Sequence, residues 1–275
     1  MKQTRGSDLS ARIAITYLVL VITAALFAPV LTRVLSKSDP LSVHLEERLQ
    51  GPGGRHLLGT DELGRDLTAR ILFGARVSLL VGIISAVLSL GVGTLLGAVA
   101  GYYRGTPDWI VSRVIEVFLC FPFLFVALAI VGIFHPSVVS IIIAVALTSW
   151  PDEARIVRGE LFRIREIEFA EAARASGAGD LRLITRHLLP HAIGPALISA
   201  TFTVGSAILT ESALSFLGLG SALPTPSWGG ILASASSYGD RGWWLLVFPG
   251  IAIFLTVAAC NVLGESLRDR LDPRS

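Results

Sequence analysis

The sequence predicts an all-α, polytopic integral membrane protein with six transmembrane helices. Three observations carry that expectation. The chain of 275 residues is 52% hydrophobic and only 16% charged, with a mean hydropathy of +0.67, which leaves too little charge to coat a water-soluble domain of this size. Six stretches run long without Asp, Glu, Lys or Arg. The basic residues, finally, are shared unevenly between the segments that would face the two sides of a bilayer.

A helix needs roughly 20 apolar residues to cross the hydrocarbon core, and lipid admits only backbones that satisfy their own hydrogen bonds. The first candidate span is Ile13–Thr32 and the second Val77–Tyr103, which has residues to spare. The third, Val117–Phe134, is entered through Glu116. Pro136–Pro151 is shorter, but Trp150 suits an interface and helical continuation to Leu161 makes it a fourth. Leu188–Thr210 is the fifth and Gly242–Gly264 the sixth. Lys2, Arg5 and Arg12 before the first span imitate a secretory signal, but its apolar core is too long and no small-x-small cleavage site follows, so an uncleaved anchor is expected.

With the N-terminus in the cytoplasm, segments 1–12, 101–113, 152–189 and 265–275 carry three, two, seven and three basic residues, against six in 36–76 and one in 218–243. Both termini are therefore expected inside. Segment 36–76 mixes its cations with Asp39, Glu46, Glu47, Asp61, Glu62 and Asp66 and reads as a folded or surface-lying external stretch. Gly93, Gly97 and Gly101 repeat at a spacing of four, which lets another helix approach closely, within the subunit or across a subunit contact. Cys120 and Cys260 lie in apolar runs and read as small buried hydrophobes. Pro122 and Pro151 are expected to bend spans three and four, as static kinks or as hinges.

The stretch Arg165 to Gly177 is where function concentrates. Alanine and glutamate favour helix, Glu171 and Arg174 stand at a pairing distance of three, and Gly177 is placed to end the helix in a left-handed cap. Asp180 is expected to cap a second helix running to Leu189, where Pro190 marks the entry to span five. Ala170, Ala172, Ala173 and Ala175 give the first helix a narrow profile, while Phe169 offers an anchor, so it suits a groove on a partner protein. A helix lying on lipid would prefer bulky apolar residues and lysines.

Glu171-Ala172-Ala173, Gly177 and Leu189-Pro190 resemble the EAA motif of permease subunits of bacterial binding-protein-dependent ABC importers, with His187 where that family often has isoleucine. His56 to Asp66, Glu211 to Gly220 with Pro224, Pro226, Trp228 and Gly229, and the ending Asn261 to Arg274 are similar to the C-type subunit of the dipeptide, oligopeptide and nickel group, so the resemblance spans residues 10–275. It implies the type I importer permease fold, with segment 166–177 as a coupling helix that contacts an ATPase through Phe169, Glu171, Ala172, Ala173, Arg174, Gly177 and Pro190. It further implies a homologous permease, two ATPase subunits holding ATP and Mg, a soluble solute-binding protein, a peptide cargo with nickel or another small solute as the alternative, a bacterial inner-membrane location and no nucleic acid. The expected division is 1–75 for the first span and external loop, 76–267 for the permease domain and 268–275 for a cytoplasmic tail.

The chain holds no Gly-Lys pair and hence no phosphate-cradling Walker A loop, so no cofactor is expected in it and hydrolysis falls to another polypeptide. His187 and His191 have a metal-compatible spacing, but Pro190 lies between them and no acidic or cysteine ligand is near, so they read as interfacial histidines. Among ionisable residues near span ends, Glu116 suggests a structural pairing, whereas Glu211 is the candidate for the translocation path or external docking. A secondary carrier or channel is the rival reading, but neither paired intramembrane carboxylates nor inverted repeats are visible.

Overall fold

The computed structural model describes residues 3–36, 38–220 and 225–271, and Pro224 and the closing Asp272-Pro273-Arg274 lie outside them. The elements are α1 (Gln3–Leu26), α2 (Ala28–Leu35), α3 (Leu67–Tyr103), α4 (Gly105–Cys120), α5 (Phe123–Phe134), α6 (Val138–Ile164), α7 (Glu168–Ala175), α8 (Asp180–Arg182), α9 (Leu189–Leu214), α10 (Trp228–Ala235) and α11 (Trp244–Leu271). Among the described residues the only extended pairing is an isolated bridge between Thr60 and Asp66.

Four helical stretches are long and apolar enough to cross a bilayer: Leu9–Leu26, Leu67–Tyr103, Asp180–Leu219 and Trp244–Leu271. The bent pair α4 and α5 makes a fifth if taken as one span. Length and composition alone thus do not reproduce the expected six. The difference is α6, which stays helical for 27 residues but carries Asp152, Glu153, Arg155 and Arg158 in its second half. Pro151 lies inside it, and the helix continues through it as the expected run to Leu161 requires. Pro122 does: it stands between α4 and α5, whose axes differ by 89°. The first span is also shorter than its apolar run, because α1 ends at Leu26 and Pro29 opens the separate helix α2.

The bundle is organised around α3, which packs against α6, α9 and α1, while α9 in turn packs against α11. Glycine makes the first of these contacts possible. A Cβ at Gly93 would collide with that of Glu153, one at Gly97 would stand 2.5 Å from the Ala154 carbonyl oxygen, and one at Gly101 would stand 2.8 Å from the Leu161 Cβ. The four-residue glycine spacing therefore serves a helix contact within the subunit. The bent arm is tied to α6 by an Asp108–Arg158 ion pair and by the Phe118 ring, 5.5 Å from that of Trp150. Trp150 is consequently buried and not an interface anchor, and Cys120, at the end of α4, is exposed while Cys260 is buried. Glu116 pairs with Arg113, as a structural role requires.

At the opposite end of α3 from Tyr103, the mixed-charge segment folds over the helix start. Asp61 accepts from the backbone N–H of Leu63 at 2.8 Å and Arg65 at 2.9 Å, and its other oxygen lies 2.6 Å from Arg65 Nε and 3.2 Å from Arg70 Nε. Asp66 caps α3 through the Ala69 N–H and also meets His56 Nδ1 at 2.8 Å. Trp244 Nε1 donates to the Thr60 carbonyl at 3.1 Å, joining this cap to α11. The helix therefore begins at Leu67 and runs across the boundary expected at residue 75.

Gly97→Leu is expected to cost about 1–3 kcal/mol or more by overpacking the α3–α6 contact, whereas Gly91→Leu, where nothing lies within 4 Å, leaves stability unchanged. Thermal unfolding of the purified protein compares the two.

Candidate functional site: the projecting helix and its anchor

Helix α7 ends as the sequence requires. Gly177 has φ +82, its N–H donates to the Arg174 carbonyl and that of Ala178 to the Ala173 carbonyl, which is the paired hydrogen bonding of a Schellman cap. The helix is one turn shorter than the expected 166–177, starting at Glu168 and closing at Ala175. Glu171 and Arg174 form no ion pair among the described residues. Arg174 instead lies over the Tyr102 ring, 5.8 Å from its centroid.

One face of α7 belongs to the bundle. Ala170 is fully buried and Ala173 packs beside it, in a core with Tyr102 of α3, Leu161 of α6 and Leu188 and Ala192 around the start of α9. Alanine is what allows the approach; a longer side chain at Ala170 would lift the helix off. Glu171, Ala172, Arg174 and Ala175 face outward. Phe169 is shared: its ring lies 5.3 Å from that of His191, leaving 37% of the residue exposed. Pro190 sits in the first turn of α9 and is exposed.

Tyr102, which sequence reasoning missed, is the node that fixes this projection. Its hydroxyl donates to Asp180 Oδ1 at 2.6 Å, and its carbonyl accepts from Arg165 at 2.7 Å. Asp180 is therefore not the helix cap expected of it; Gly179 holds that position and α8 has no side-chain cap. Arg104 adds a 2.7 Å bond to Glu166 across the same joint. The end of α3 thus holds the chain on both sides of α7. Beyond α8 the helix widens into a π-type turn over Leu183–Leu188, where the Leu189 N–H reaches back five residues to the Ile184 carbonyl. Such turns insert a residue without breaking the helix, and this one lets the segment run on into α9.

Glu211 is buried within the subunit. It is 0% exposed and accepts from Ser215 at 2.8 Å and from Ser78 at 3.3 Å, while Ser78 accepts the Trp228 N–H at 3.2 Å. It joins α9, α3 and α10 in the subunit interior. One cavity, of about 690 Å³, lies beside α2 and the start of α3, and another, of about 630 Å³, lies between the α4–α5 bend, α6 and α9. Asp152 is the one ionisable residue among the described lining of the second. Its neighbour Glu153 is fully buried, accepts from Thr203 at 3.0 Å, and has an Oε2 without a hydrogen-bond partner. The sequence signal for both was the short fourth apolar run: to complete a crossing, its helix had to carry Asp152 and Glu153 inward. No group of three or more metal-ligating side chains occurs among the described residues, and His191 instead packs on Phe169.

Residues 93–275 match the family model described as binding-protein-dependent transport system inner membrane component. The chain belongs to that family. It is 44% identical over 265 residues, 96% of this chain and 88% of the other, to a permease protein of Brucella suis biovar 1 named for a peptide transport system. It is 41% identical over 266 residues, 96% of this chain and 86% of the other, to the dipeptide transport system permease protein DppC of Alkalihalophilus pseudofirmus. Among solved structures, a chain of the inward-facing MetNI methionine ABC transporter aligns with a TM-score of 0.58 at 19% identity, over 73% of this chain and 97% of that one. The fold is therefore that of type I ABC importer permeases, and the chain is a multi-pass inner-membrane component. The matched segment begins at Gly93, the first glycine of the α3–α6 contact, and includes α7 and its anchor.

Tyr102→Phe removes a hydrogen bond to a carboxylate, a class of interaction contributing about 1.5–3 kcal/mol. Hydrogen exchange should speed up across residues 168–182 in this variant and stay unchanged in the middle of α3.

Proposed function

We propose that this chain is a transmembrane permease subunit of an ATP-driven importer, which forms, with a homologous subunit, a path for di- or oligopeptides across the bacterial inner membrane. The observation that carries the proposal is α7: a narrow helix presenting Glu171 and Ala172 outward while Tyr102, Arg165 and Asp180 bind its flanks to the long helix of the bundle. A helix held at both ends transmits a push to the spans, whereas a loose loop absorbs it. On this reading α7 is the coupling helix and one of two ATPase subunits receives its outer face, with Phe169, Glu171, Ala172, Ala173, Arg174, Gly177 and Pro190 forming or supporting the contact. ATP and Mg belong to those subunits, and this chain catalyses nothing. Both termini are then cytoplasmic, and the Asp61-centred cap faces the soluble binding protein that delivers cargo.

ATP binding would draw the ATPases together, move α7 and rock α3, α6 and α9 toward an outward-open state. Peptide is favoured over nickel because the relatives are named for peptide and dipeptide transport.

Affinity purification of the tagged chain from its own membranes is expected to bring down ATP-hydrolysing subunits. Ala172→Trp, a bulky change on the exposed face, should lower peptide uptake at least tenfold with the subunit still in the membrane. Purification without any ATPase, or full uptake by the variant, contradicts the proposal.

A further inference from the structure

The cavity beside the α4–α5 bend has a chemistry of its own. Its wall on α9 is a stripe of hydroxyls, Ser199, Thr203, Ser206 and Thr210, at successive spacings of four, three and four that put them on one helix face. At 1.5 Å per residue the stripe is about 16 Å long, the reach of an extended peptide of up to about five residues. The facing wall is aromatic, from Phe118, Phe121 and Phe123 where the third span breaks. Phe121 and Phe123 are 60% and 53% exposed.

Asp152 supplies the charge. The bond between its neighbour Glu153 and Thr203 sets this turn of α6 beside the middle of α9, which is part of an apolar span, and ionisable groups beside spans are costly and mark function. Its only ion pair among the described residues is with Arg155, at 2.5 Å, with both side chains more than half exposed. An exposed pair of this kind is weak, and a competing cation can displace it.

We propose that this cavity is the subunit's half of a peptide-passage site, in which Asp152 receives the free α-ammonium group of the cargo and the α9 hydroxyls exchange hydrogen bonds with its backbone. Thr203 and Thr210 donate within the subunit, to Glu153 and to the Ser206 carbonyl, and a hydroxyl that donates still accepts, so the stripe serves the backbone of any peptide regardless of side chains, which rest against the aromatic wall. The inference rests on the peptide-importer reading above and adds which end of the peptide this subunit reads. Arg155 occupies Asp152 between transport events and yields it to the cargo.

The test uses the complete importer in proteoliposomes, with an unmodified dipeptide loaded on its binding protein, and measures uptake and ATP hydrolysis together. Asp152→Asn is expected to lower uptake at least tenfold while ATP hydrolysis stimulated by the loaded binding protein stays within twofold, and Asp152→Glu restores most of the uptake. Arg155→Gln, which frees Asp152, keeps uptake at or above the starting level. Unchanged uptake in Asp152→Asn overturns the inference, as does an equal loss in Asp152→Asn and Arg155→Gln, which would make the pair merely structural. Failure of the unaltered complex to move any peptide would overturn the importer reading itself.

Discussion

The fold depends on the backbone contact between α3 and α6 that Gly93, Gly97 and Gly101 permit. Each places the α3 backbone where a side chain would strike α6, and in lipid, where apolar surface gains little by burial, such close van der Waals packing is what holds helices together. The contact also sets a register. It delivers Tyr102, one residue beyond the last of these glycines, to the joint where the chain leaves α6 at Ile164 and turns into α7. It also fixes Glu153, beside Gly93, against Thr203 of α9 and so turns Asp152 toward the cavity. The projection at one end and the charged group beside the middle of α9 thus follow from one seam.

The acidic groups of the fold divide into those whose oxygens are taken up by surrounding donors and those left with capacity. Asp61 and Glu211 belong to the first kind, each surrounded by donors that consume its oxygens. Asp66 does two tasks at once, capping α3 and holding His56. These three acids lie in the segments His56–Asp66 and Glu211–Gly220 that carry the family resemblance, and their geometry explains the residue types there as structural. Asp152 is different in kind, since an exposed arginine is its only counter-charge among the described residues.

Much of the architecture was legible in the sequence because lipid imposes a length rule on apolar runs. The runs at Val77–Tyr103, Leu188–Thr210 and Gly242–Gly264 became α3, α9 and α11, and Gly177 closed α7 because only a left-handed residue fits there. The continuation of the short fourth run through Pro151 and its charges toward Leu161 was legible too, and α6 runs to Ile164. Composition misled at span three, since nothing in an apolar run distinguishes a gentle kink from the 89° turn at Pro122. The anchor at Tyr102 was illegible because its partners Arg165 and Asp180 are far along the chain and meet it only in three dimensions.

The central claim is that α7 is a rigid transmitter between the membrane bundle and a separate ATP-hydrolysing protein. Electron cryomicroscopy of the assembled complex from native membranes tests it most directly. The account predicts that the outward face at Glu171 and Ala172 is seated in a cleft of an ATP-binding subunit, with the Tyr102–Asp180 contact intact. Finding those residues in water or against lipid, with no nucleotide-binding neighbour in contact, would contradict it.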